Sequence, residues 1–408
     1  MTHVILNFWN KASVVTYLLW AMILPWSLAG MQIGLGLTVL VTTFAVIVQK
    51  KFSPVSHPFT FFLVSYLLVR LLSALLSPQP MVSLNTVFHT DWPLLSIPVL
   101  LSAPLLPRDR KKILKALVFS SALLSIYAIH QFFSGTDIYR GRALAPMGHF
   151  FRATGAFDHY LTLAGSQLMI FFVGLGLIQA EMSNKKKMIL TLSSVLVLLS
   201  VLATFGRSAW ISIAVVGGLV VIFSGRRALR LAAVFIIIAV IALLVSIPEI
   251  QNRFLSSFEL SQNADRLNLW KTSLRMISDK PLLGIGPGLF GKSFDTYKVP
   301  GTYGATGHPH NDYLNLAAAS GILGLLAWLV MWGSWFYYSI KTYRNSFATF
   351  PDRPILLGII LSLVSIMVAA FFQCYYTDLE NNICWCFLAI LGLQATVTPG
   401  SSIEAGHF

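Results

Sequence analysis

Apolar runs of 16–25 residues recur along the chain, parted by polar stretches that are mostly short, and this leaves few options for the fold. A bilayer core offers no water to satisfy backbone N–H and C=O groups. Only helices, which bond within one segment, and closed barrels, which leave no edge, can cross it. The runs are continuous instead of alternating apolar with polar, which excludes a membrane β-barrel and predicts an all-α polytopic membrane protein. Charge agrees: 11% of the residues are charged and 56% are hydrophobic, against about 25% charged in a soluble protein. The first run follows Lys11 and is long enough to stay as a helix, so no cleavable signal peptide is expected.

Twelve spans are read near 12–29, 31–49, 59–76, 93–107, 113–133, 159–179, 188–204, 208–223, 229–247, 313–340, 354–373 and 382–397. An even number puts both termini on one side. The loops on that side hold Lys50–Lys51, Arg108 to Lys112, Lys185 to Lys187, Arg226–Arg227, and Lys341 with Arg344. The positive-inside rule makes that side, and both termini, cytoplasmic. Most of the +14 net charge is used in this way, so it does not point to nucleic acid. The fourth span is short and holds Pro93, Pro98 and Pro104, so a broken or tilted helix is expected there. Cys374, Cys384 and Cys386 sit in or beside the last two apolar segments. Odd in number and in greasy surroundings, they read as small packing groups instead of a disulfide or metal set.

The whole chain, 1–408, reads as a single integral membrane domain with two substantial outer loops, 134–158 and 248–312. The outer basic residues include Arg140, Arg142, Arg152, Arg207, Arg253, Arg266, Lys271, Arg275, Lys280, Lys292 and Lys298. Topology does not account for them. Some are expected to pair with Glu249, Glu259, Asp265 and Asp279. The remaining arginines are candidates for phosphate, whose oxygens the planar guanidinium matches in pairs. Within the longer loop, Ala264 to Ser278 places Leu267, Trp270, Leu274 and Ile277 on one stripe at helical spacing. Arg266 then falls in the first turn, the wrong end of the helix dipole for a cation.

Several motifs admit two readings. Gly284-Ile-Gly286-Pro-Gly288 resembles half a dinucleotide fingerprint, but no βαβ unit surrounds it and Pro287 interrupts it. A loop whose backbone approaches the membrane or a substrate closely fits better. His308, His310 and Asp312 could ligate a metal, yet no second cluster completes a shell. His310 suits a general base instead, since neutral imidazole has a pKa of about 6.5. A histidine that only caps the following helix is the plain alternative. Ser208 is expected to cap the span that follows Arg207, which would set free N–H groups beside a guanidinium as an anion site. The plain alternative is an arginine snorkelling to the interface. Arg70 falls inside the third span and must face a partner or a cavity.

These residues carry a resemblance. His310-Asn311, followed after nine residues by Gly321-Ile-Leu-Gly324, resembles the signature of the O-antigen ligase superfamily. So do Asp279-Lys-Pro-Leu-Leu-Gly-Ile-Gly-Pro-Gly behind Arg266 and Trp270, the stretch Arg152-Ala-Thr-Gly-Ala-Phe-Asp-His-Tyr, and Gly206-Arg207-Ser208. The resemblance spans roughly 140–395. It implies a GT-C-type glycosyltransferase of the bacterial inner membrane that works at the periplasmic face without metal or other cofactor. The implied donor is a glycan on undecaprenyl diphosphate and the implied acceptor is lipid A–core. His310 is implied as the catalytic residue, and Arg207 and Arg266 as the donor diphosphate contacts. Arg142, Arg152, His308, Asn311 and Asp378 are second-rank candidates, Asp378 as a group that orients His310. The chain runs about eleven residues past the last span, which favours an O-antigen ligase over a protein O-oligosaccharyltransferase. An O-antigen polymerase is the alternative within the superfamily. A lipid or polysaccharide transporter is the alternative of another class, and it should carry its polar residues at mid-membrane.

Overall fold

The apolar runs fold as helices because each can close its hydrogen bonds only within itself. The computed structural model describes residues 2–49, 57–102, 105–223, 227–256, 259–345 and 352–397. Lys50, Lys51, Pro104 and Arg226, used in the topology argument, lie outside them. Among the described residues the helices are α1 Thr2–Ile23, α2 Leu28–Gln49, α3 Pro58–Leu75, α4 Pro80–Asp91, α5 Ser96–Leu101, α6 Pro107–Ser134, α7 Tyr160–Gln179 and α8 Asn184–Ala203. They continue with α9 Arg207–Phe223, α10 Arg227–Ser246, α11 Pro248–Leu255, α12 Leu260–Asp279, α13 Phe290–Tyr297, α14 Asp312–Asn345, α15 Arg353–Ala369 and α16 Leu379–Val397. Two small antiparallel hairpins, β1 Thr136–Asp137 with β2 Arg142–Ala143 and β3 Pro146–Met147 with β4 Phe150–Phe151, fill the loop between α6 and α7.

Among the described residues six helices are long and apolar enough to cross a membrane: α2, α3, α6, α7, α8 and α14. Shorter apolar stretches lie in α1, α9, α10 and α15. The chain is a multi-pass membrane protein. The most enclosed elements are α7 and α16, buried along nearly their whole lengths. Gly176 and Gly358 let α7 and α15 meet backbone to backbone. The three cysteines are buried and unpaired.

Two ends can be told apart by their contacts. At one, Arg110 bonds Asp352, Lys115 bonds Glu181, Lys111 donates to the Ala180 carbonyl at 2.7 Å, and His57 meets Thr396 at 3.1 Å. At the other, Ala153 N–H donates to the Ala203 carbonyl, Asp312 N–H donates to the Ala370 carbonyl, and Thr162 donates to Asp378.

One expectation is met and two need correction. The fourth span, 93–107, is broken as expected: Asp91 leads into a 3-10 turn, Trp92–Leu95, and then the six-residue α5. Proline lacks an amide proton and clashes with the preceding turn, and Pro93 and Pro98 sit where the helix is interrupted. Helix α12 starts at Leu260, so Arg266 stands beyond the first turn and the dipole argument against it lapses. The stripe that α12 buries is Leu269, Thr272, Ser273 and Met276, whereas Leu267 and Leu274 are exposed. Packing against Ile285, Phe290 and Ala318 sets that face.

Helix α14 is broken. Ser320 leaves helical geometry and Gly321 takes φ 66° and ψ −175°. A Cβ at Gly321 would stand 2.1 Å from the Leu282 carbonyl oxygen, so only glycine fits. The break frees backbone groups, and the 281–286 loop satisfies them. Ile285 and Gly286 N–H donate to the Ala318 and Ala319 carbonyls, and Ile322 N–H donates to the Pro281 carbonyl at 2.8 Å. The glycine-rich loop thus approaches another backbone, that of α14, closely. A Cβ at Gly284 would lie 2.5 Å from the Ala318 oxygen.

Arg70 finds its partner beside this break. Its Nε donates to Asp91 Oδ2 at 2.9 Å and its Nη1 to Ser320 Oγ at 2.8 Å. Tyr66 donates to Asp91 as well. Arg70 and Asp91 are each 2% exposed. The pair ties α3 and α4 to the kink in α14.

Candidate active site

His310 lies just ahead of α14 with φ 51°, a left-handed conformation that costs a side-chain-bearing residue strain. Its Nδ1 is 2.6 Å from Gln373 Oε1. With the amide oxygen accepting, Nδ1 carries the proton and Nε2 is left as the basic atom. Among the described residues nothing bonds Nε2. Two neighbours hold the segment in place: Trp270 Nε1 donates to the Pro309 carbonyl at 3.1 Å, and His308 Nδ1 accepts from His310 N–H at 3.3 Å. Asp312, fully buried, accepts from the Tyr375 and Tyr376 amides at 2.8 Å and so fastens the Gln373 loop to the start of α14. Capping does not explain His310. The capping histidines are His159 on α7 and His57 on α3, and Asn311 caps α14 by accepting from Leu314 N–H at 3.0 Å.

Burial pushes His310 below the ordinary histidine pKa. The Gln373 bond opposes this, and the Arg266 charge adds to it. His308 is pushed down to about 4 by burial, then by His310 and His159. Both rings are therefore neutral at neutral pH. A base must be neutral to accept a proton, so activity should fall as pH drops through the His310 pKa, which lies below about 6.5. Gln373→Glu puts a carboxylate on Nδ1–H and raises that pKa. We expect the acidic limb of kcat/KM against pH to move up by about one unit or more. An unmoved limb would mean that this contact does not tune His310.

Four guanidinium groups gather on the same side. Arg207 opens α9, is 9% exposed, and donates to Ser256 Oγ at 3.1 Å and Asn263 Oδ1 at 3.4 Å. Arg152, Arg253 and Arg266 lie within its electrostatic reach. Arg152 stacks over the Tyr160 ring at 4.4 Å. Burial holds Arg253 below the usual guanidinium range, and the Arg152 charge adds to this. Burial holds Arg266 down in the same way. Among the described residues none of the four meets a carboxylate.

The acids expected to pair with the outer cations serve elsewhere. Glu249 accepts from His149 N–H, Asp265 from Thr302, and Asp279 from Tyr297, while Glu259 stands exposed ahead of α12. Among the described residues, the outer carboxylates that do pair are Asp137 and Asp158, which neutralise Arg140 and Arg142, and Asp295, which meets Lys298 at 2.8 Å. Arg142 is thus tied into the hairpin.

Asp378 does not reach the ring as an orienting group; that place is taken by Gln373. Asp378 accepts from Thr162 Oγ1 at 2.6 Å and from Asn381 N–H at 3.1 Å. Burial, then the charge of Glu380, push its carboxyl up to about 7. Ser208 is not the expected helix cap either. Gly206 carries the first accepting carbonyl of α9, and Ser208 Oγ meets Tyr375 OH at 2.8 Å. Among the described residues no three His, Cys, Asp or Glu side chains group as a metal-ligand set.

Residues 192–329 match the family model described as O-antigen ligase. The match supports the O-antigen ligase superfamily for this stretch. No curated protein matches the chain. The matched stretch contains Arg207, Arg253, Arg266, His308, His310 and the α14 break. Residues outside it complete the site: Arg152 and Tyr160 before it, Gln373 after it. The superfamily covers ligases and polymerases that handle lipid-linked polysaccharide.

Sequence reading missed Gln373, Tyr160 and the part played by Arg253. Gln373 had a signal, as a lone amide in Phe-Phe-Gln-Cys-Tyr-Tyr where an apolar run ends. Arg253 differed in nothing from its neighbours until their carboxylate partners were known.

Proposed function

We propose that the protein is an O-antigen ligase, an inverting, metal-independent glycosyltransferase of the bacterial inner membrane. It moves O-antigen polysaccharide from undecaprenyl diphosphate to lipid A–core. The observation that carries this reading is the meeting of two features among the described residues: a neutral histidine with its Nε2 unengaged, and four guanidinium groups that meet no carboxylate. An acceptor hydroxyl lies against Nε2. Its oxygen bonds to the anomeric carbon as the carbon–oxygen bond to the diphosphate breaks. The hydroxyl proton goes to His310 and the bonding electrons leave with the diphosphate. Arg207 and Arg266 hold the charge that develops there, which is the electrostatic contribution a metal makes in other enzymes. One displacement inverts the anomeric centre.

The membrane placement belongs to the same proposal. The Arg110–Lys115 end faces the cytoplasm, as its basic loops predict, and the His310 end faces the periplasm. Twelve crossings of GT-C type then put both termini inside, with Pro80–Leu101 supplying the fourth as a kinked run of α4, the 3-10 turn and α5. The chain forms one membrane domain with periplasmic loops 134–158 and 248–312.

Purified protein given the lipid-linked donor and lipid A–core should join them in the presence of EDTA. Arg207→Lys and Arg266→Lys keep the charge but lose the planar fork. Each should cut the rate by about 10²–10³-fold, as loss of a transition-state donor does. Transfer lost with EDTA and restored by a divalent ion would overturn the metal-independent reading.

A further inference from the structure

We propose that Arg152 and Arg253, together with Tyr160, form a second anion site beside the one for the donor diphosphate, and that it takes a phosphate monoester on the acceptor. The proposal rests on the ligase reading of the site. A diphosphate diester carries two negative charges, which Arg207 and Arg266 match. Two further guanidinium groups remain, and a phosphate monoester brings about −1.5 to −2. At this end Arg140 and Arg142 are neutralised by Asp137 and Asp158, whereas among the described residues Arg152 and Arg253 meet no carboxylate.

Among the described residues, each of the two also has a buried Nε with no hydrogen-bond partner. An Nε–H with an adjacent Nη–H is an edge that grips two oxygens of one phosphate. A buried donor without a partner is costly, and a ligand that supplies the oxygens removes the cost. Both side chains are half-buried, so an anion can reach them. They arrive from separate elements, Arg152 from the turn behind β4 and Arg253 from α11. Stacking on Tyr160 sets the plane of Arg152. Tyr160 also stands within electrostatic reach of Arg207, Arg253 and Arg266, which places its hydroxyl among all four cations.

The test uses the full chain in phosphatidylcholine nanodiscs. In the kinetic arm, Arg152→Gln and Arg253→Gln should each raise the KM for lipid A–core about tenfold, with the donor KM within twofold of wild type. Wild type should show the same rise on lipid A–core stripped of phosphate by hydrofluoric acid, and the variants no further rise on it. A raised donor KM, or stripped acceptor used as well as native, would overturn the proposal. In the binding arm, wild type saturated with inorganic pyrophosphate should still bind inorganic phosphate in calorimetry, and both variants should lose that binding. No phosphate binding by wild type would overturn the site. Phosphate binding with an unchanged acceptor KM would overturn its assignment to the acceptor. If wild type fails to use lipid A–core at all, the ligase reading fails, and the binding arm alone decides whether the second site exists. Should a Gln variant not fold, Arg152→Lys and Arg253→Lys replace it, with a smaller rise expected.

Discussion

Replacing His310 with asparagine is expected to remove transfer while leaving the protein folded. A general base contributes about 10²–10⁴-fold, and an amide cannot accept the hydroxyl proton. Two features keep this result interpretable. His310 holds φ 51°, which asparagine tolerates better than most residues. The segment is also fixed from outside the ring, by Trp270 on the Pro309 carbonyl and by Asp312 on the Tyr375 and Tyr376 amides. The variant should therefore match wild type in thermal midpoint and in donor binding. Turnover within a few-fold of wild type would remove His310 from the mechanism. His308→Asn should be milder, because the His308 ring supports the backbone of His310 and lies farther from ordinary basicity.

The second large effect falls on stability. Asp91→Ala leaves Arg70 charged and almost fully buried without its carboxylate. Breaking a buried pair from one side costs about 3–5 kcal/mol. Arg70 would also lose its hold on Ser320, and with it the tie between α3 and the kink of α14. Detergent-solubilised Asp91→Ala should unfold at a clearly lower temperature than wild type, as followed by tryptophan fluorescence. The double variant Arg70→Leu/Asp91→Leu should recover part of the loss, since replacing both ions with apolar groups removes the desolvation penalty. A single variant as stable as wild type would show that the pair is dispensable.

Legibility in the sequence follows the range of the physics involved. Helical spans follow from a local requirement, that each segment satisfy its own backbone, so the helical, multi-pass character could be read from apolar runs. Helix α4, Pro80–Asp91, was missed because it is weakly apolar. Its one carboxylate, Asp91, reads as a loop residue until Arg70 is placed beside it. His310, Arg207 and Arg266 stood out because polar groups against apolar helices are conspicuous. Gln373 and Tyr160 did not, because their roles come from contacts across long sequence separations. The α12 stripe failed for a related reason: Leu269 and Met276 were selected for burial by the glycine loop and α13, and no helical period shows which of two apolar faces a distant segment will cover.

The central claim is that lipid A–core is the acceptor, and the gene's own host supplies the direct measurement. The gene is disrupted and lipopolysaccharide is resolved by electrophoresis beside a complemented strain and one restored with the His310→Asn variant. The ligase reading predicts core without any repeat unit in the disrupted and His310→Asn strains, long polymer accumulating on undecaprenyl diphosphate, and a full ladder on complementation. Core that still carries a single repeat unit would contradict it, because joining would then have survived while chain extension was lost.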